Sequence, residues 1–384
     1  MPPHRPAPSM HRCSGPDVRV VLVHDWLTGM RGGEKVLASL CRLYPEADLL
    51  TLVHARGAVS PQIEARRVRT AFIQHLPSPT RWYRHYLPLF PTAIEQFDLD
   101  DVDLVVSTSH CAAKAVVPTG RAVHVCYCHS PMRYAWDQFD HYFGIDRVGR
   151  WGEAAARHVL AAMARWDRET AGRVTRYLAN SAHVAGRIAR YYNRDATVLH
   201  PPVDTEFFVP GTAPPDAYFL VVSALVPYKR IDVAIRAAAR LGAPLKIVGT
   251  GPDTERLRAL AGPTVEFLGH VDDATLRTLY QRAHATLLPG EEDFGIAPVE
   301  AQACGSPVIA LGRGGALETV VHGVTGYLVA DESPEAFADA MAAVSHLPST
   351  PVDRQQHAGQ FSIPDFEAGL RARIDATLER PSGW

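Results

Sequence analysis

Along the first half of the chain, short apolar runs alternate with longer stretches whose apolar residues fall three and four apart. The runs VRVVLV (18–23), ADLLTLV (47–53), VDLVVSTS (102–109) and AVHVCYC (122–128) are rich in valine and leucine. Runs of this kind predict strands buried on both faces of a parallel sheet. A helix is expected over about 33–43, and helical patterns dominate 151–192. A second series then begins: YFLVVS, PLKIVG, VEFLG, ATLLP, PVIA and GYLVA, again with helical segments between. Strands alternating with helices predict an α/β fold, here two open parallel sheets. Between the series, VLHPPVDTEFFVPGTAPPDA contains five prolines and reads as a linker. The expected organisation is a tail (1–17), a first domain (18–200), a linker (201–217), a second domain (218–361), and a C-terminal helix and tail (362–384).

Composition narrows the picture. The 384 residues exceed one comfortable core and suit two domains. A net charge of −2 does nothing to attract nucleic acid. No apolar run reaches the length of a membrane span. The leading MPPHRPAPSMHRCSGPD is proline-rich and lacks the apolar stretch of a signal peptide, so disorder is expected there, with Met10 as an alternative start. Six cysteines without a C-x-x-C pair fit a reducing cytoplasm.

Two facing α/β domains bind ligands in the crevice outside the carboxyl ends of their strands, so the loops after strands carry the candidate chemistry. In LPGEEDFGIAPVEAQACGSPVIA (288–310), Glu292 and Glu300 lie eight residues apart. Pro298 suits the first position of a helix, which places Glu300 in its first turn. The amides of Phe294, Gly295 and Ile296 are expected to face the cleft, with Gly295 permitting close approach. A carboxylate only accepts hydrogen bonds, so two of them beside an anion-binding turn can hold the two sugars of a diphosphate-bridged molecule. Glu291 and Asp293 are expected to be solvated. Gly249 and Gly251 in IVGTGPDTERL offer a second close approach, and Gly32 and Gly33 in TGMRGGEKV open a helix whose free amides suit a phosphate. The latter does not spell a dinucleotide fingerprint. The doubled D-x-D in DLDDVD (98–103) precedes its strand, away from the cleft, and no metal is expected.

The segment GEEDFGIAPVEAQACGSPVIA resembles the E-x7-E signature of retaining glycosyltransferases of family 4, which have the GT-B fold of two Rossmann-like domains. The resemblance implies that Glu300 holds the nucleotide ribose and that Glu292 faces the donor sugar. VVSALVPYKRID (221–232) resembles the family's phosphate-binding strand and loop, with Lys229 matching its lysine. Ala224 stands where many members have arginine, and Arg230 is the candidate substitute. CYCHSPMRYAWD (126–137) is similar to the loop bearing the family's cleft histidine, here His129. The implied activity is metal-independent transfer of a hexose, with mannose as first guess, from a GDP-sugar or UDP-sugar to a lipid-linked or growing polysaccharide acceptor. No cofactor is implied. The C-terminal helix would cross back to the first domain.

The segment 66–97 interleaves five arginines with aromatic and aliphatic residues. It reads either as a lobe packing its rings inward or as a peripheral dock on the cytoplasmic face of the inner membrane. Ser109, His110 and Lys114 are candidates for the acceptor side, as is Asp137. A sugar-nucleotide epimerase, or a non-catalytic nucleotide-sugar-binding partner in a polysaccharide synthesis complex, are the rival functions.

Overall fold

A computed structural model describes residues 18–137 and 145–380. The expected N-terminal tail and the last four residues lie outside them. Two all-parallel sheets organise the chain. The first has order β3-β2-β1-β4-β5-β6-β7 and the second β10-β9-β8-β11-β12-β13.

In the first sheet β1 (Val20–His24), β2 (Asp48–Thr51), β4 (Leu104–Ser109) and β5 (Val123–Cys128) stand where the apolar runs predict them. Strands β3 (Val68–Thr70), β6 (Arg176–Ala179) and β7 (Ala196–Val198) were not legible. Each is only three or four residues long, and β6 lies between the helices Ile145–Glu169 and Ala182–Tyr192, whose periodicity swamps it. In the second sheet, β8 (Phe219–Val222), β9 (Leu245–Val248), β10 (Val265–Gly269), β11 (Ala285–Leu288), β12 (Val308–Leu311) and β13 (Gly326–Val329) fall within a residue of the six apolar runs.

The helix Ile363–Glu379 buries Phe366, Leu370 and Ile374 in the first domain's core, beside Leu22, Leu37, Leu40 and Tyr127. Burying each such side chain stabilises by roughly 1.5–3 kcal/mol, enough to anchor the returning helix. The chain therefore passes between domains twice. The two passages lie side by side, with Val203 N–H donating to Phe361 O at 2.8 Å and Val203 bridged to Ser362. Paired crossings of this kind form a narrow waist, with the strand ends of both sheets on either side of the cleft.

The 66–97 segment breaks into short turns of helix because its prolines interrupt any longer one. Tyr83, Leu87, Phe90 and Ile94 point inward to a core that includes Trp26, while Trp82 and Leu89 are exposed.

Candidate active site

The second-domain wall is built from three strand-end loops packed backbone to backbone. A Cβ at Gly290, after β11, would lie 2.7 Å from the Cα of Lys229, in the loop after β8. One at Gly314, after β12, would lie 2.3 Å from Glu292 O, and Gly314 takes a φ of +58°, left-handed as well. Only glycine permits these approaches. Their consequence is that Lys229 Nζ forms an ion pair with Glu292 Oε1, both side chains largely buried. Gly249 and Gly251 have the same use. A Cβ on either would run into the carbonyl oxygen of Ser223 or Leu225, so these glycines admit the neighbouring loop.

The helix after β11 spans Ile296–Ala303, with Gly295 as N-cap at φ +88°. It begins two residues earlier than expected. Pro298 is its third residue, a position that also needs no amide partner, and Glu300 opens the second turn. Among the described residues, the amides of Phe294, Gly295 and Ile296 donate to no protein group. The Phe294 ring points away into the waist, stacked on His200 with centroids 5.4 Å apart. Glu300 is buried. Its Oε2 accepts from Tyr280 Oη at 3.2 Å, and its Oε1 meets Lys35 Nζ of the first domain at 2.5 Å. Burial pulls the Lys35 pKa down, but the Glu300 charge and hydrogen bond, with the charges of Asp273 and Asp204, together outweigh it and the net shift is upward.

Asp293 corrects an expectation. It is buried, not solvated: Arg133 Nε donates to it at 2.8 Å, and Arg187 Nη1 lies at 3.4 Å. Burial raises its pKa, but Arg133 and Arg187 more than offset this and hold the carboxyl below its usual range. Both arginines belong to the first domain, so the last acid of the EED triplet clasps the domains together. Nearby, Glu318 accepts from Ala182 N–H at 2.9 Å at the start of helix Ala182–Tyr192 and from His200 Nε2 at 3.0 Å. Glu291 remains exposed, as expected.

The first-domain wall gathers the carboxyl ends of β1, β4 and β5. His129 is half-buried, and its Nε2 is shut away from solvent without a hydrogen-bond partner. Burial, with the charges of His110 and His24, pulls its pKa down to about 3. Gly33 faces it: a Cβ there would lie 3.5 Å from both His129 Nε2 and His24 Cε1. A Cβ on Gly32 would press on Ile296 Cδ1 at 2.9 Å, which shows how closely the walls approach. Asp25 and Lys35 escaped sequence reading, because each gains its meaning from partners distant in the chain.

Other candidates are placed elsewhere. Arg230 pairs with Glu332 and Asp232 rather than with groups around Lys229. Lys114 is not on the acceptor side: it is buried and paired with Asp167 Oδ1 at 3.0 Å. Asp137 engages Arg187 and Tyr191. At the amino end of β4, Asp98 closes a turn by accepting from the Asp100 amide, and Asp103 accepts from the Arg19 amide. Among the described residues, no group of three His, Cys, Asp or Glu could hold a metal ion.

Residues 30–207 match the description "Glycosyltransferase Family 4" and residues 202–361 match "Glycosyl transferases group 1". The matches meet at the waist and take in both walls. The chain belongs to glycosyltransferase family 4.

Its relatives in the family include D-inositol 3-phosphate glycosyltransferase 2 of Catenulispora acidiphila, 33% identical over 227 residues, or 48% of this chain and 52% of that protein. The D-inositol 3-phosphate glycosyltransferase of Mycobacterium avium is 31% identical over 208 residues, 48% of this chain and 49% of that one. The chain thus spans about half the length of the curated relatives it matches, and none of these names specifies mannose. Over the whole fold it resembles Anabaena Alr3699/HepE in complex with UDP, with a TM-score of 0.70, 17% identity, and coverage of 94% and 100%. The apo lipopolysaccharide outer core galactosyltransferase WaaB gives 0.63, 15%, 94% and 100%. At such identities the likeness is one of fold, and the fold of this family 4 chain is GT-B.

Proposed function

We propose that this family 4 protein moves a hexose, with retention, from a nucleoside diphosphate sugar to a lipid-linked or growing polysaccharide acceptor. The observation that carries the reading is the second-domain wall: Lys229, Glu292, Glu300 and three undonated amides converge on one strand-end loop. A departing diphosphate gains negative charge as the glycosidic bond breaks. Lys229 can exchange Glu292 for that charge, and the amides of Phe294, Gly295 and Ile296 can receive the rest. Glu300 can use its remaining lone pairs on the ribose, and Glu292, once released, can take a sugar hydroxyl with His129 opposite. UDP is the favoured nucleotide, because structural neighbours hold UDP and UDP-glucose. Ala224 is exposed at the end of β8 and leaves the phosphate side with one cation fewer than many members have.

A thermal-shift panel of UDP, GDP, UDP-glucose and GDP-mannose tests the donor, since a ligand bound only by the folded state raises the melting temperature. Lys229→Ala and Glu300→Ala are each expected to lower transfer by about 10²–10³-fold with the fold intact. Near-normal turnover in both removes the assignment. Isomerised sugar formed from donor alone identifies an epimerase instead.

Peripheral membrane contact through 66–97 belongs to the same reading. Trp82 and Leu89 are exposed beside exposed Arg81 and Arg84, an apolar tip with a basic rim. Co-sedimentation with anionic but not neutral vesicles is the expected result, and equal sedimentation with neither rejects it. Among the described residues, no helix is long and apolar enough to cross a membrane.

A further inference from the structure

The first-domain wall holds a carboxylate–histidine pair that no motif announces. Asp25 directly follows β1, His110 directly follows β4, and the two strands are parallel neighbours in the sheet. The Asp25 side chain is fully buried. Its Oδ2 accepts from the amides of His110 at 2.7 Å and Cys111 at 3.0 Å, and its Oδ1 from those of Ala112 at 2.6 Å and Ala113 at 2.7 Å. Oδ2 also lies 3.0 Å from His110 Nδ1. A carboxylate so surrounded by donors stays ionised and only accepts. His110 Nδ1 must therefore carry its proton, and in the neutral ring Nε2 is left as the acceptor.

The ring cannot easily turn. It meets Trp26 edge to face at a centroid distance of 4.5 Å, and it lies 6.4 Å from the rings of both His24 and His129. Yet 34% of the side chain remains exposed, unlike its buried neighbour His24. A buried carboxylate thus presents one half-open imidazole, in a single tautomer, next to the histidine that stands opposite the E-x7-E loop.

We propose that His110 Nε2 accepts a hydrogen bond from the hydroxyl of the incoming acceptor, and that Asp25 is the positioning residue that fixes its tautomer and direction. This rests on the glycosyltransferase reading. A hydroxyl held by Nε2 keeps an oxygen lone pair free to meet the sugar carbon. The pair acts on the acceptor alone and leaves the nucleotide to the other wall.

The test uses the full chain with UDP-glucose as donor, a lipid-linked sugar as acceptor, and UDP alone for binding. His110→Ala keeps Asp25 and its four backbone amides, so the wall is expected to fold. Transfer should fall by about 10²-fold, with a raised acceptor KM, while UDP affinity stays within twofold. His110→Gln, whose amide oxygen also accepts, should recover part of the loss. Asp25→Asn should depress transfer as His110→Ala does, and adding His110→Ala to it should cost little more. Transfer by His110→Ala within threefold of wild type overturns the proposal, as does a parallel loss of UDP affinity. A wild-type protein that binds UDP but transfers nothing to this acceptor overturns the acceptor assignment; one that binds no UDP takes down the donor reading first.

Discussion

The two walls of the cleft solve different physical problems. On the first-domain wall, charge is locked in place: Asp25 is satisfied by four backbone amides and a histidine, and His129, its Nε2 shut away from solvent, is held neutral. On the second-domain wall, charge is held by exchangeable partners: Glu292 by Lys229, and Glu300 by a lysine from the opposite domain. A backbone cradle cannot be traded for a ligand without unfolding its loop, whereas a lysine can swing from a carboxylate to a phosphate. The contrast assigns fixed positioning to one wall and ligand exchange to the other.

Asp25→Ala should break the fixed wall most severely. It strands four amides, and a buried unsatisfied donor costs about 1–3 kcal/mol. Partial relaxation of the loop leaves an expected loss of about 4 kcal/mol in urea denaturation. Glu300→Ala, by contrast, strands only the Tyr280 hydroxyl and leaves Lys35 able to reach water, and should cost about 1–2 kcal/mol. Equal losses in the two variants would erase the distinction between the walls.

Acid sharpens the comparison next. His129 on the first wall, and His124 beneath it on β5, are both pulled down to about 3 by burial. In the unfolded chain these histidines protonate near the ordinary value of about 6.5. Below that pH the unfolded state binds more protons, so stability present above about pH 6.5 is lost as pH falls toward 3. The slope for two such groups approaches about 2.7 kcal/mol per pH unit. Denaturation midpoints measured from pH 7 to pH 4 check this, and His124→Gln should roughly halve the slope. A flat profile would mean that these rings can protonate in place.

The smallest expected effect lies on the exchangeable wall. Lys35→Ala frees one Glu300 oxygen and should tighten UDP binding by up to about threefold in calorimetric titration, or less than 1 kcal/mol. Weaker binding would show that Lys35 belongs to the nucleotide site rather than competing with it.

Legibility in the sequence followed chain distance. The strands of the second sheet stood out because each is a compact apolar run. Glu292, Glu300 and the amides between them were legible because one loop and one helix start carry them all. The fate of Asp293 was not: two arginines from the other domain turn a residue that looks solvated into a buried clasp. Lys114 failed for the same reason, since Asp167 lies more than fifty residues away. Strands β3 and β6 were missed because three or four residues carry too little periodicity to outvote the helices around them.

Alone, the order of residues determined two α/β domains, their proline-rich junction and the acidic loop of the second, because strand burial and helix periodicity are written in neighbours. Only the tertiary structure decided which charges are locked and which can be exchanged. That depends on which strand ends the parallel sheets bring together, and on how closely the waist lets the two walls approach.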